Sequence, residues 1–251
     1  MVKRGIVSSV LEWHARVWPL RFLLPVAIVL GAAATPAAAG QTRARGIDVS
    51  HWQGAPDWVA VKADGVAFAF VKATEGQSMV DEQYAANRSN AAAAGVPMGA
   101  YHFARPGPGT DDAVNEADYF VDTAALTGRD LLPVLDLEDD GGLSAKQLRR
   151  WTKAWLARVR ERLGVKPIIY TFPFFWQDEM GNSRWFADNG YRLWIAHWGK
   201  DQPRVPANGW GGRGWTIWQY DNCGSVEGID GCVDRDVLAV TVGSLRIRNN
   251  R

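Results

Sequence analysis

Cysteine is almost absent from this chain: there are two in 251 residues, Cys223 and Cys232, close together near the C-terminal end. Two cysteines exclude a disulfide-rich scaffold and a cysteine-built zinc site. Histidine is scarce as well, with four, and no two stand at a ligand-type spacing. Net charge of either sign is missing too. The formal value is +1, which leaves no electrostatic footprint for nucleic acid. No apolar run reaches the about 20 residues that a membrane-spanning helix needs. Internal repeats, a glycine-rich phosphate loop and a nucleophile elbow are also lacking.

Composition is otherwise that of a globular protein, with 47% hydrophobic and 22% charged residues. Tryptophan is the exception, with 13 copies. Such a surplus suits either an aromatic core or a stacking surface for sugars.

The first residues read as an export signal. Lys3, Arg4, Arg16 and Arg21 form a basic n-region, and Phe22 through Ala34 is an apolar stretch of h-region length. Ala37-Ala38-Ala39 supplies a small-residue cleavage site, so residues 1–39 are expected as a signal peptide, with an uncleaved anchor as the alternative. Removing them takes four positive charges and one negative from +1 and leaves −2. In an exported chain, two cysteines at short spacing suggest one disulfide, closed across a glycine-rich loop.

Residues 40–45 read as a linker, 46–240 as one catalytic domain and 241–251 as a basic tail. Within the domain, strand-like and helix-like segments alternate. Strands are expected at Gly46–Ser50, Ala67–Lys72, Gly99–Phe103, Leu131–Leu137 and Pro167–Tyr170. Helices are expected at Asp57–Ala63, Asp81–Ala94, Asp111–Ala125 and Ser144–Leu163. Three further strands, Leu193–Ala196, Thr216–Tyr220 and Cys232–Asp234, follow with little helical periodicity between them. About five βα units and then three strands imply an α/β fold, a modified TIM-like barrel with reduced or missing late helices. A doubly wound open sheet is the alternative.

In such a barrel, functional residues gather at one rim, where the parallel strands end. The strongest local signal is Asp136-Leu137-Glu138. Residues i and i+2 of a strand share a face, so both carboxyls look into one space about 7 Å apart. In a partly dry pocket they do not both ionise cheaply, and one pKa rises. One protonated acid beside one carboxylate is the pair that glycoside cleavage uses. A solvated acidic loop is the plainer reading. Asp48, inside an apolar strand, is the next candidate, against a turn-capping role. Asp234 follows, against an ion pair with Arg235. Glu75 is either a substrate ligand or a partner for Lys72. His51, His102 and His197, approaching each other at the rim with Asp48, would make a metal site of the deacetylase kind.

Several motifs then fall into a familiar order. Gly46-Ile47-Asp48-Val49-Ser50-His51-Trp52-Gln53-Gly54 resembles the opening of the glycoside hydrolase family 25 lysozymes, the Chalaropsis-type muramidases. Phe70-Val71-Lys72-Ala73-Thr74-Glu75-Gly76, Gly99-Ala100-Tyr101-His102-Phe103 and Leu135-Asp136-Leu137-Glu138 resemble their second, third and fourth strands. Trp218-Gln219-Tyr220 and Val233-Asp234 resemble the last two. The resemblance runs from about Gly46 to Leu238. It implies hydrolysis of the β-1,4 bond between N-acetylmuramic acid and N-acetylglucosamine, with no cofactor and no metal. It implies Glu138 as general acid, Asp136 as its partner near the N-acetyl group, and Asp48 and Asp234 as further acidic residues. Tyr101, Phe103, Tyr170, Trp194 and Gln219, with Glu75, are implied as sugar-binding residues.

The expected partner is the peptidoglycan glycan strand, bound by an exported monomer with no protein partner. A non-catalytic glycan binder on the same scaffold, a chitin-directed glycosidase and a metal-dependent deacetylase are the alternatives. Retaining, inverting and substrate-assisted chemistry stay open at this level. The Trp-rich segment from Trp194 to Trp218 is expected to reshape one end of the cleft.

Overall fold

The computed structural model describes residues 43–248. The expected signal peptide and the last three residues lie outside them. Strands are β1 (Arg45–Val49), β2 (Phe68–Glu75), β3 (Met79–Val80), β4 (Met98–Phe103), β5 (Val134–Asp136), β6 (Ile168–Thr171), β7 (Arg192–Ala196), β8 (Ile217–Gly224) and β9 (Val233–Leu238). Helices are α1 (Trp58–Ala63), α2 (Tyr84–Ala93), α3 (Thr110–Ala124), α4 (Ala145–Leu163), α5 (Pro173–Asp178) and α6 (Trp185–Asp188).

Eight strands close into a barrel in the order β1-β9-β8-β7-β6-β5-β4-β2, and β2 pairs again with β1. The short β3 only extends β2 as a hairpin. The modified barrel is therefore the fold, and the open sheet is excluded. The early helices begin and end where their caps dictate. The Asp57 carboxylate accepts from the Val59 and Ala60 amides and starts α1. Gly164, at φ 72°, ends α4 in the left-handed conformation that glycine adopts without strain.

One strand runs against the expectation of a parallel set. β9 is antiparallel to both β8 and β1. The cause is the short connection from β8, which is a hairpin and not a helical crossover. Asp234 thus reaches the functional rim from the start of its strand, whereas Asp136 reaches it from the end.

Side-chain alternation builds two cores. Ile47, Val49, Ala69, Val71, Leu135 and Leu137 face outward and pack under the helices with Trp151, Trp155 and Trp176. Phe68, Phe70, Val134, Ile168, Trp194, Ile217 and Leu238 face inward and fill the barrel. Gly46 and Gly99 make the inner packing possible. A Cβ on Gly46 would sit 2.2 Å from the Phe68 ring, and one on Gly99 would sit 2.5 Å from the Phe70 ring. The bottom is plugged by Leu131, Leu132, Leu245 and Ile247. Hence the segment expected as a tail from residue 241 begins as part of this plug, and Ile247 N donates to Asp130 O at 3.0 Å.

The late helices are reduced, as expected, to the short α5 and α6, and tryptophans fill much of the space beside them. Trp210 packs on Trp176, with ring centroids 4.8 Å apart, and its Nε1 donates to Tyr191 O at 2.8 Å. Ala207, Asn208 and Trp210 around it have φ of 54°, 55° and 52°. Left-handed turns of this kind cost about 1–2 kcal/mol per residue, and burial of Trp210 offsets part of that. The Trp-rich segment is therefore mostly core, and of it only Trp194 lines the cleft.

Cys223 and Cys232 form a disulfide that closes the β8–β9 hairpin. The loop inside it packs on the barrel rim through Val226 and Ile229. Gly228 O accepts from Asp57 N at 2.8 Å, and Cys232 O accepts from the Gln53 side chain at 3.2 Å. Cross-linking so short a loop stabilises by about 2–3 kcal/mol in the chain-entropy view. Cys223→Ser is expected to lower the melting temperature by about 5–10 °C under oxidising conditions. Wild type treated with reductant should match the variant; identical melting of oxidised and reduced wild type would contradict the staple.

Candidate active site

The barrel interior changes from apolar to polar one layer below the rim. Asp48, Lys72, Tyr101, Asp136, Tyr170, Gln219 and Asp234 line a cavity of about 200 Å³, with Glu138 and Phe103 at its edge. Strand register brings them together. Asp48 is paired with Asp234 across β1 and β9, and Phe103 and Tyr170 flank Asp136 across β4, β5 and β6. Four of the five carboxylates singled out in the sequence converge here. So do Tyr101, Phe103, Tyr170, Trp194 and Gln219.

Glu75 does not line this cavity. Its carboxylate accepts from Lys72 Nζ at 2.6 Å and from Arg105 at 2.7 Å, and Arg105 also holds Asp139 at 2.6 Å. The pairing with Lys72 is the role it takes. Asp234 makes no ion pair with Arg235, whose guanidinium turns instead to Asp221, with Nε at 3.0 Å. The three histidines do not approach one another. His51 is held by Asp81 at 2.7 Å, and Arg204 N donates to His197 Nδ1 at 2.9 Å. His102 points out of the barrel, between Thr74 at 2.8 Å and Glu116 at 2.7 Å. Alternation along β4 explains this: with Tyr101 and Phe103 facing in, His102 must face out.

Sequence reading gave no role in the site to four polar or aromatic residues of the lining, nor to one neighbour beneath it. Lys72, Ser50, Trp52 and Gln53 line the cavity. Trp52 is 81% exposed at the rim, an aromatic face open to a ligand. Asp236 lies just beneath, fully buried. The same i, i+2 rule that joined Asp136 to Glu138 would have joined Asp236 to Asp234.

Burial is the largest influence on every carboxyl here. It pushes Asp136 well above the usual carboxylate range, and the Glu138 charge adds to the push. Burial raises Glu138 as well, against the opposing fields of Lys72 and Arg105. Asp234 is pushed up to about 8, by burial and then by Asp48. So crowded a set does not ionise together near neutral pH. Asp136 Oδ1 is buried with no hydrogen-bond partner in the protein. An unpaired buried acceptor costs about 1–3 kcal/mol, so water or a ligand in the cavity is what would meet it.

Two carboxyls raised by burial, beside aromatic faces at the open end of a βα barrel, are the kind of arrangement that glycoside hydrolases use. The comparisons agree. The profile of "Glycosyl hydrolases family 25" matches residues 47–229, and the chain belongs to that family. It is 42% identical to lysozyme M1 of Streptomyces globisporus over 201 residues, which cover 76% of this chain and 66% of that protein. It is 34% identical to the N,O-diacetylmuramidase of Chalaropsis sp, over 76% of this chain and 95% of that protein. Among solved structures, a bacterial lysozyme from Streptomyces coelicolor superposes with a TM-score of 0.75. That pair shares 38% identity and covers 82% of this chain and 96% of the other.

Proposed function

We propose that this chain hydrolyses the β-1,4 bond between N-acetylmuramic acid and N-acetylglucosamine in peptidoglycan. The observation that carries the reading is the Asp136–Glu138 pair. Its two carboxyls open into one cavity, and both are raised by burial. Glu138 sits nearer the edge, and position makes it the acid for the leaving oxygen, although burial raises Asp136 further than Glu138. Asp136 sits deeper, as the carboxylate that meets the positive charge growing at the sugar. Its unpaired Oδ1 accepts the N–H of the acetamido group on the sugar being cleaved. Tyr101, Tyr170, Trp194 and Gln219 line the wall, and Trp52 stacks on a sugar at the rim. Asp48 and Asp234 complete the acidic floor.

The names of the relatives support the substrate: a lysozyme from Streptomyces globisporus and an N,O-diacetylmuramidase from Chalaropsis sp. The substrate lies outside the cytoplasm, in keeping with the export signal read in residues 1–39. Residues of one chain suffice to line the cavity, which supports a single chain as the active unit.

Digestion of purified peptidoglycan, with the released ends read by mass spectrometry, tests the proposal. New reducing muramic-acid ends, unchanged by a chelator, are the expected product. Cleavage of chitin in preference would move the substrate. Loss of acetyl groups from intact strands would mean deacetylation. Binding without any product would leave a glycan-binding scaffold.

A further inference from the structure

Glu138 lies two residues beyond the end of β5, and the last ladder bond before it runs from Leu137 N to Tyr170 O at 3.0 Å. The segment that follows is held by one side chain. Arg105, two residues beyond β4, donates from Nη1 to Asp139 Oδ2 at 2.6 Å, and Asp139 Oδ1 accepts from Gly141 N at 2.9 Å. The other edge of the same guanidinium donates to Glu75 Oε1, from Nε at 2.8 Å and from Nη2 at 2.7 Å. Glu75 Oε2 accepts in turn from Lys72 Nζ at 2.6 Å. Three rim segments therefore meet at Arg105. Their backbones are close as well: a Cβ on Gly141, whose φ is 58°, would sit 1.7 Å from Pro106 O, and one on Gly76 would sit 3.4 Å from Arg105 Cβ. The base of Arg105 is fixed by its amide, which donates to the buried Glu116 Oε2 at 3.2 Å. Lys72 and Arg105 both lie on the Phe103 ring, 4.9 and 4.6 Å from its centroid.

We propose that Arg105 is a positioning residue: it clamps Asp139 to the Glu75–Lys72 pair and so holds Glu138 at the edge of the cavity. Only a guanidinium suits the task, because its planar fork meets two carboxylates at once in fixed directions. Arg105 is about half exposed, and ion pairs so placed contribute little to stability. The clamp therefore serves aim and not folding. A misplacement of about 1 Å in a reacting group costs about 100-fold in rate. Glu138 faces Asp136 from its own strand, Lys72 from β2, Arg105 from beyond β4 and its neighbour Asp139. Asp48 on β1, Asp234 on β9 and the Tyr170 phenol on β6 complete its surroundings. The two ends of the clamp act on its charge in opposite senses: Arg105 favours it and Asp139 opposes it.

This role rests on the muramidase reading for its effect on rate. Arg105→Gln removes the charge and the fork. Asp139→Asn keeps an oxygen for Gly141 N but turns an amide donor toward Arg105. Both break one contact, so each should lower kcat on peptidoglycan by ~10- to 100-fold with KM nearly unchanged. The double variant should be no slower than the slower single one. The pH profiles should part: loss of the Arg105 cation moves both limbs up, and loss of the Asp139 charge moves both down. Arg105→Lys keeps the charge without the fork, so its limbs should stay in place while kcat still falls. Wild-type kcat in both folded single variants, losses that multiply in the double, or a change confined to KM would each overturn the clamp. The same contact can be read without turnover. In protein with 13C-labelled carboxyl groups, the Glu138 titration midpoint should rise in Arg105→Gln and fall in Asp139→Asn. A wild type that releases no muramic-acid ends would sink the substrate reading alone, whereas a Glu138 midpoint unmoved in both variants would sink the clamp.

Discussion

Glu138→Gln is expected to keep the fold and lose about two to four orders of magnitude in kcat on peptidoglycan. The glutamine has the same shape and still receives the field of Lys72, but it has no proton to give the leaving oxygen. Two further readouts separate this from damage to binding. Affinity for a peptidoglycan fragment should stay close to that of wild type. The descending limb of the pH profile should vanish, because that limb reports loss of the acid's proton and the glutamine has none to lose. Stability should respond in the opposite direction to activity. The folded-state pKa of Glu138 lies above its unfolded value. Ionising it therefore destabilises the native state as pH climbs through the window between the two. The amide removes that cost, so the variant should melt no lower than wild type at neutral pH. A folded Glu138→Gln protein with near-normal turnover would remove Glu138 as the acid.

The second large effect is expected at Asp136. Asp136→Asn should cost about two to three orders of magnitude in kcat, the scale seen when one stabilising group is taken from a developing charge. Its signature differs from that of Glu138. Asp136 and Glu138 share one cavity and burial raises both, so the ascending limb reports the first proton to leave the pair and the descending limb the second. In the variant the ascending limb should flatten while the descending limb remains. An asparagine Oδ1 can still accept the acetamido N–H, so binding should survive better than turnover. A profile that keeps its ascending limb would assign that limb to another carboxyl, and Asp234, at about 8, would be the first to examine.

Much of this architecture was legible from alternation alone. The apolar strands, the Asp57 and Gly164 helix boundaries, and the shared face of Asp136 and Glu138 follow from local rules. They hold because neighbours in sequence remain neighbours in space. The direction of β9 does not follow from such a rule. It depends on whether the Cys223–Cys232 loop turns back at once or crosses over the barrel, and that is a tertiary outcome. The fate of Glu75 was likewise undecided until β4 placed Arg105 beside it. His102 was misread for a different reason. It was weighed with His51 and His197 as a metal ligand because their strands end at one rim, although alternation along its own strand turns it out of the barrel. Asp236 was overlooked although the rule that finds it was already in use. A buried carboxylate without an obvious counter-ion reads as implausible until its Trp194 donor is known.

The pairing of Asp48 with Asp234 has a consequence for how the enzyme comes into being. β1 is the first strand of the barrel and β9 the last, so the acidic floor is contributed by opposite ends of the domain. No amino-terminal portion of the polypeptide, however long, can hold that floor until β9 has been made and has slotted between β1 and β8. A ribosome stalled before that point, or a protease nick that frees the final hairpin, therefore yields a product with Asp48 and the Asp136–Glu138 pair but without Asp234. Assembly of the whole acidic floor is thereby tied to closure of the barrel by its last strand.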